Sequence, residues 1–417
     1  MLRLNVKGAA YMHVAVLGAG LFGVGVALEL ARRGVRVDLF DREAHVLTQA
    51  GMQSEGKIHL GYIFANDTSL ATADLMARGA ATFGPLIRDW LETEADPLSP
   101  SDPFLYFVHH TSLVGADVLS DRYATIAARN RDAGGGPCVY YGHDSTAAPT
   151  RLTQAQLEQV ADTRTIAAAF QTQEIALDPL ALAALLRARL AHEPLIAVRS
   201  RHEVTAATPL PDGVAVDYVD PDGEGASQTF DHAVNGLWED RLHIDQTAGV
   251  PLPRPWSFRI KHFLRLTPSP TSAPVPTASI VLGPYGDIVR YRDGSVFLSW
   301  YPVGRRGMST AVRAPSWPRL LDADTAAAMR ADIHAGLARI APAVAALSPD
   351  EIAASNVLGG IIYAAGVTDV DDPASGLHVR SAVGRWSMGR YHSVDPGKWT
   401  SAPLFAAETA AHILGKA

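Results

Sequence analysis

The sequence predicts an α/β protein of more than one domain, with a dinucleotide-binding βαβ unit at its start and mainly antiparallel sheet further on. Three observations predict this. A glycine-rich turn, Gly18-Ala19-Gly20-Leu21-Phe22-Gly23, stands between a short apolar run and a long apolar stretch. The middle of the chain alternates segments of helical and strand character. After Val250 that alternation gives way to proline-rich linkers and a hairpin signal at Asp293-Gly294.

The elements follow in order. His13–Leu17 reads as a buried strand, and Leu21–Arg33 as a helix apolar nearly all round. Arg32 and Arg33 suit the negative end of its dipole, and Gly34 suits its C-terminal cap. Val35–Phe40 is the second strand. Pro85–Glu92 and Val118–Asp132 read as helices, Phe104–His109 as a strand, and Gly134-Gly135-Gly136-Pro137 as a loop. Asp178 caps a helix that carries Pro179 at its first position and runs to about His192. Glu203–Ala207, Val214–Val219 and Thr229–Asn235 read as strands, the first two joined by a turn at Pro211-Asp212-Gly213. Trp256–Leu266 is a strand between two proline-rich loops. Asp287–Arg292 and Ser295–Tyr301 form a hairpin, Asp322–Ile340 is helical, and a last helix spans Ala402–Leu414.

The turn carries the first chemistry. Gly18 permits a tight bend, Gly20 lets the backbone approach a pyrophosphate, and Gly23 lets the helix pack on the sheet. Leu21 and Phe22 open the helix, whose free N–H groups and partial positive charge favour phosphate. Asp41 ends the second strand, where a carboxylate bonds ribose hydroxyls and repels a 2′-phosphate, which argues against NADP. Arg42 beside it is counted with the nucleotide-contacting residues. A turn of this shape without any ligand is the alternative. By itself the motif does not separate NAD from FAD.

Length and composition bound the rest. A chain of 417 residues suffices for two or three domains. With 36 basic and 43 acidic residues the net charge is −7, so nothing draws the protein to nucleic acid or anionic lipid. No run of about 18 apolar residues suggests a membrane span. The single cysteine, Cys138, makes no internal disulfide and no metal-type spacing, which fits a reducing, cytoplasmic setting. Arg3 and Lys7 before an apolar stretch have the look of a signal peptide, but the glycines inside that stretch and the strand after it argue against one. Residues 1–11 read as an extension before Met12.

Other segments narrow the cofactor. Gln53-Ser54-Glu55-Gly56-Lys57-Ile58-His59-Leu60-Gly61-Tyr62 resembles a segment of the D-amino-acid oxidase superfamily, which includes sarcosine oxidase-like enzymes, glycerol-3-phosphate dehydrogenases and L-2-hydroxyglutarate oxidases. Gly397-Lys398-Trp399-Thr400-Ser401-Ala402-Pro403 is similar to that superfamily's last flavin-contacting loop, which leads into a C-terminal helix. Glu203-Val204 resembles the strand whose backbone reaches adenine, and Val234-Asn235-Gly236 the strand that re-enters the nucleotide domain. The resemblance implies a Rossmann-like FAD-binding domain, discontinuous over 12–92, 165–248 and 355–417. It implies a substrate domain with a mainly antiparallel sheet over 93–164 and 249–354. It further implies non-covalent FAD contacted by Ser54, Gly56, Lys57, Val204, Lys398, Trp399 and Thr400, with His59 toward the substrate. Gln53 and Ser54 stand where L-2-hydroxyglutarate oxidases tend to carry Asn, so that family's substrate is not carried over.

The reaction this implies is removal of hydride from a C–H beside an amine or hydroxyl of a small polar substrate, with O₂ or another acceptor reoxidising the flavin. His59 is the candidate base, because imidazole titrates near working pH; a packing role and a covalent link to FAD are its alternatives. Lys261, in Phe258-Arg259-Ile260-Lys261-His262, is placed by the resemblance where a lysine assists O₂. Arg259, Arg290 and Arg292 are candidates to grip a substrate carboxylate, and Tyr301 or Trp300 to wall the pocket. No metal is called for. Three rivals stay open. An aromatic-hydroxylase-type flavin monooxygenase shares the first motif but carries a late Gly-Asp-Ala-like motif, where this chain has Tyr391-His392-Ser393-Val394-Asp395. An NAD-dependent dehydrogenase leaves the Lys57 and Lys398 segments unexplained. The third is a non-redox flavoprotein. Oligomeric state is not legible.

Overall fold

The structure, a computed structural model, describes residues 12–134, 139–253, 255–372 and 374–416. The 1–11 extension and Cys138 lie outside the described residues. Of the loop expected at 134–137, Gly134 ends the helix Ala116–Gly134 and the rest falls outside them.

Two large sheets carry the chain. The first has six strands in the order Ile196–Ser200, Arg36–Asp41, His13–Leu17, His232–Asn235, Tyr391–Asp395 and Gly384–Met388. Its first five strands run parallel, and only the last pair is antiparallel. A parallel sheet is covered on both faces, so its central strand must be apolar on both. His13–Leu17 meets that demand: Val14 to Leu17 have no exposure. The helix Leu21–Ala31 is buried along its whole length. On the other face the three-stranded meander Glu203–Leu210, Gly213–Val219 and Gly225–Phe230 packs Val204, Val214 and Phe230 against Leu17 and Phe40.

The second sheet has nine strands. Along the path from Arg305–Ser309 come Trp256–Leu266, Val296–Trp300, Gly286–Arg290, Ala278–Val281, Leu105–His109, Ile166–Gln171 and Thr150–Arg151, with Asn356–Ala365 beside Trp256–Leu266. Its pairs are antiparallel except Ala278–Val281 with Leu105–His109. The helix Ala323–Ala338, capped by Asp322, lays Met329, Ile333 and Leu337 on one face. The fold is therefore the expected α/β class.

Several expectations need correction. Ile166–Gln171 and Asn356–Ala365 belong to the nine-stranded sheet, so the boundaries at 165 and 355 put them with the wrong sheet. Asn356–Ala365 escaped sequence reading because Gly359-Gly360 interrupts its β pattern. Those glycines answer to close packing: a Cβ would lie 2.7 Å from the His262 ring at Gly359 and 2.9 Å from Gln53 Cβ at Gly360. Pro85 lies inside a 21-residue helix, Ala71–Leu91, rather than near its start. The segment read as Thr229–Asn235 is two strands that part at Asp231.

The first helix also shows why glycine is needed in its interior. A Cβ on Gly25 would meet Trp90 at 2.3 Å. Trp90 is fully buried and its indole N–H donates to Glu29 Oε1 at 2.7 Å, so it has no room to yield. Helix propensity favours Ala over Gly by about 1 kcal/mol. Overpacking costs ~1–3 kcal/mol and has the larger range. Gly25→Ala should therefore lower the urea midpoint, by about 1 kcal/mol in net stability. Gly225→Ala, on a strand where a Cβ meets nothing within 4 Å, should not lower it; equal midpoints for the two variants would refute the packing account.

Candidate active site

One elongated cavity of about 420 Å³ runs between the two sheets. Gly18, Gly20, Leu21, Phe22, Asp41, Arg42 and Val204 line it at the end of the parallel sheet. Gln49 to Glu55 and Gly397 to Trp399 line its middle. His59, Arg259, Lys261, Tyr301, Tyr363 and Arg380 are gathered in its wall toward the antiparallel sheet.

At the first end the backbone sets the shape. Gly18 has φ +96°, and a Cβ there would lie 2.9 Å from Gly236 O. Gly23 does not line the cavity; it lies under the turn, where a Cβ would sit 1.8 Å from Gly18 O. Gly20 faces open space, so the N-terminus of the Leu21–Ala31 helix is accessible to an anion. Asp41 is braced by backbone N–H groups of Ala19 (2.8 Å) and Glu43 (2.9 Å). Burial raises its carboxyl above the ordinary value. Arg42 is held by Glu239 and, at 2.5 Å, by Asp240, so its charge is balanced before any ligand arrives. Val204 lies on Glu203–Leu210, the edge strand of its meander.

The middle and far wall are polar and buried. Ser54 lines the cavity and donates to Gly51 O at 2.9 Å. Gly56 does not line it: φ is +65° and a Cβ would lie 2.0 Å from Leu177 O, so this glycine serves a chain crossing. Lys57 Nζ donates to Ser279 Oγ at 2.8 Å, lies 3.4 Å from Glu174, and stands over the rings of Phe104 and Tyr106. Ser279 passes its own hydrogen to Asp287 at 2.5 Å, and Lys261 Nζ faces Asp287 at 4.0 Å. Thr400 is fully buried and does not line the cavity. Its hydroxyl accepts from His59 N at 2.9 Å and donates to Lys57 O at 3.2 Å, so it braces the wall from behind.

Two expected substrate contacts need separating. Arg259 is buried in the cavity wall, where it donates to the Tyr301 hydroxyl at 2.7 Å. Tyr301 in turn donates to Asp369 at 2.9 Å. Arg290 lies elsewhere, paired with Asp102 at 2.5 Å and half-exposed; Arg292 joins the same carboxylate at 3.1 Å. Neither lines the cavity, because the hairpin turns that face toward the loop at 100–102. Trp300 also stays out of the lining and packs beside Tyr285. Among the described residues no group of His, Cys, Asp and Glu is arranged to hold a metal. Nor, among them, is any helix long and apolar enough to cross a membrane.

The profile of the family described as FAD dependent oxidoreductase (DAO) matches residues 13–411. The chain belongs to this family. FAD is its cofactor, and its chemistry is oxidoreduction. A search of curated proteins found no match. Solved structures share the fold. Glycine oxidase from Geobacillus kaustophilus superposes with a TM-score of 0.66 at 15% identity, covering 97% of this chain and 96% of its own. L-proline dehydrogenase from P. horikoshii gives 0.65 at 14%, covering 98% and 94%. Iminodiacetate oxidase from Chelativorans sp. BNC1 gives 0.63 at 16%, covering 97% and 96%.

The residues present fit FAD. The open helix N-terminus and Asp41 stand together at one end of a single elongated cavity. Trp399 Nε1 and Gln53 Oε1 are buried beside its middle without partners. At the inner end of the flavoenzyme's cavity the charges are crowded. Burial, then Arg380, lowers Lys398 to about 8. Burial raises the Glu55 carboxyl, but Lys398, Lys261 and His59 outweigh it and leave the group below its ordinary value. Burial also lowers the His59 imidazole, against the pull of Glu174.

Arg380, Glu55, Glu174 and Asp369 were missed by sequence reading. Glu55 sat inside the resembling segment and was open to notice. Arg380 follows an irregular loop, and Glu174 a strand end, with no local signal for either.

Lys398 yields a test of function against stability. Its folded value of about 8 is below the ordinary 10.5, so the unfolded chain binds more protons between them. Apoprotein stability should gain from this group as pH rises from about 8 toward 10.5. Below 8 the charged lysine is a cost. Lys398→Met should therefore raise the Tm of apoprotein at pH 7, flatten that alkaline gain and weaken FAD binding. A lower apoprotein Tm would overturn the account.

Proposed function

We propose that this flavoenzyme oxidises a small carboxylate-bearing substrate, an amino or imino acid before a hydroxy acid, at a C–H beside its nitrogen or oxygen. The observation that carries this is Arg380. It is buried in the cavity wall, and its guanidinium donates to two carbonyls, Leu377 O and Tyr363 O. Among the described residues no carboxylate stands within ion-pair distance of it. Burial, then the nearby Arg259, lowers it to about 10. A buried cation short of counter-charge is relieved by an anionic ligand. Arg259, whose Nε is buried without a partner, adds a second donor. The names of the structural neighbours (glycine oxidase, L-proline dehydrogenase, iminodiacetate oxidase) agree with an acid bearing nitrogen.

FAD, when bound, supplies the hydride acceptor. The chain's residues supply the rest. Arg380 and Arg259 anchor the carboxylate and fix which C–H faces the ring. His59, kept neutral near pH 7, takes the proton from the substrate's N–H or O–H. Tyr301 and Tyr363 wall the site. Lys261 is assigned to the O₂ step. We assign FAD to the six-stranded sheet and substrate to the nine-stranded one, with FAD held without a covalent bond and the protein in the cytoplasm.

Anaerobic bleaching of the yellow protein by a panel of amino acids, N-methyl amino acids, hydroxy acids and amino sugars tests the reading. Acids should bleach the flavin and their amides should not; a best donor without a carboxylate would sink it. Arg380→Met should raise KM for the acid donor about 30-fold, the loss of about 2 kcal/mol expected for one charge-assisted contact. His59→Ala should slow bleaching at saturating donor. Lys261→Met should slow reoxidation by air while sparing reduction. An unchanged oxygen rate would remove that assignment.

A further inference from the structure

Glu174 follows the strand Ile166–Gln171 and has no exposure to solvent. Its Oε1 accepts three successive backbone N–H groups, from Leu60 at 2.7 Å, Gly61 at 3.1 Å and Tyr62 at 3.3 Å. Its Oε2 accepts the Tyr106 hydroxyl and lies 3.4 Å from Lys57 Nζ and 3.8 Å from His59 Nδ1. One carboxylate thus grips the chain on both sides of His59. The backbone groups need only an acceptor, which a neutral amide would supply. The full negative charge of this carboxylate is matched by the buried Lys57. Its second oxygen faces the imidazole, whose Nδ1 is buried and has no hydrogen-bond partner.

We propose that Glu174 is a positioning residue that turns His59 so that Nδ1–H points at the carboxylate and Nε2 is offered to the cavity. A base must present an unprotonated nitrogen, and a carboxylate behind the other nitrogen selects that tautomer. Thr400 anchors the His59 backbone N–H, and Glu174 splits its two oxygens between the backbone that follows His59 and the side of the ring at Nδ1. The groups that face this ring come from several elements. Lys57 and Glu55 lie on its own segment, Lys398 on the C-terminal loop, Phe64 edge-on at 5.7 Å between ring centres, and Glu174 behind Nδ1. Glu174 and Glu55 favour the protonated ring, and Lys57 and Lys398 oppose it. The role of Glu174 rests on the reading of His59 as base.

Histidine NMR of isotope-labelled, FAD-loaded protein tests the arrangement without using activity, with the His59 signal identified by its loss in His59→Asn. In wild type the Nδ1–H tautomer should dominate at pH 7. Glu174→Gln should mix the tautomers and lower the His59 titration midpoint by about one unit or more, as loss of an opposite charge within ~4–6 Å does. Lys57→Met should move the midpoint the other way, and Glu174→Asp should restore part of the wild-type tautomer. Unchanged tautomer and midpoint in Glu174→Gln, with only thermal stability lost, would make Glu174 a strut and overturn the proposal. Should that variant fail to fold, the wild-type spectrum decides: a dominant Nε2–H tautomer of His59 at pH 7 overturns the proposal equally. If His59→Ala bleaches at the wild-type rate, the base reading fails while the tautomer measurement still decides the placement.

Discussion

A lysine and a carboxylate shut away from water hold the middle of this molecule together. Lys57 and Glu174 are each essentially unexposed, and neither tolerates being there alone. An isolated buried charge costs several kcal/mol even after relaxation. The two are therefore bound to fold as a set with their donors. Through Leu60, Gly61 and Tyr62 the carboxylate shapes the chain that leaves the first sheet. Through Ser279 and Tyr106 the same pair reaches strands of the second sheet. The cavity is what lies beside this junction, so its wall inherits the junction's geometry.

The charges facing the cavity are arranged differently at its two ends. Near the glycine turn the lining cation is matched: Arg42 is taken by Glu239 and Asp240. That end presents an open helix N-terminus and one braced carboxylate, Asp41. Near the far end the matching fails. Arg380 has only carbonyl partners, and Lys398 is depressed by burial and by its cationic neighbour. Unmatched buried charge weakens the empty protein, which is the basis on which an anionic donor is proposed for this end.

Local patterns carried much of this. The strand before Gly18 and the helix after it are apolar on every side because both sheet faces are covered, and that is visible residue by residue. Asp178-Pro179 and Asp322 state their helix starts through cap chemistry, and Asp293-Gly294 its hairpin. The hidden parts were those where a residue answers to a distant neighbour. Gly359 and Gly360 look like breakers until the His262 ring and Gln53 are placed against them. Arg290 and Arg259 look alike on alternating strand positions, yet one meets Asp102 at the surface and the other Tyr301 in the cavity. Gly56 and Thr400 sit in segments of the expected kind, but the cavity is lined by their neighbours.

The sequence by itself determined that a dinucleotide turn opens the chain, that its second strand ends in a carboxylate, and that an antiparallel sheet follows the linkers. These follow from contacts within a few residues, where spacing and side-chain type decide the outcome. Only the tertiary structure decided which charges are buried together, and therefore which are short of partners. Glu174 meets His59 across more than a hundred residues of chain, and Arg380 comes from a loop to Arg259 on a strand. Burial and Coulomb interaction depend on distance through space, and no local pattern encodes that distance.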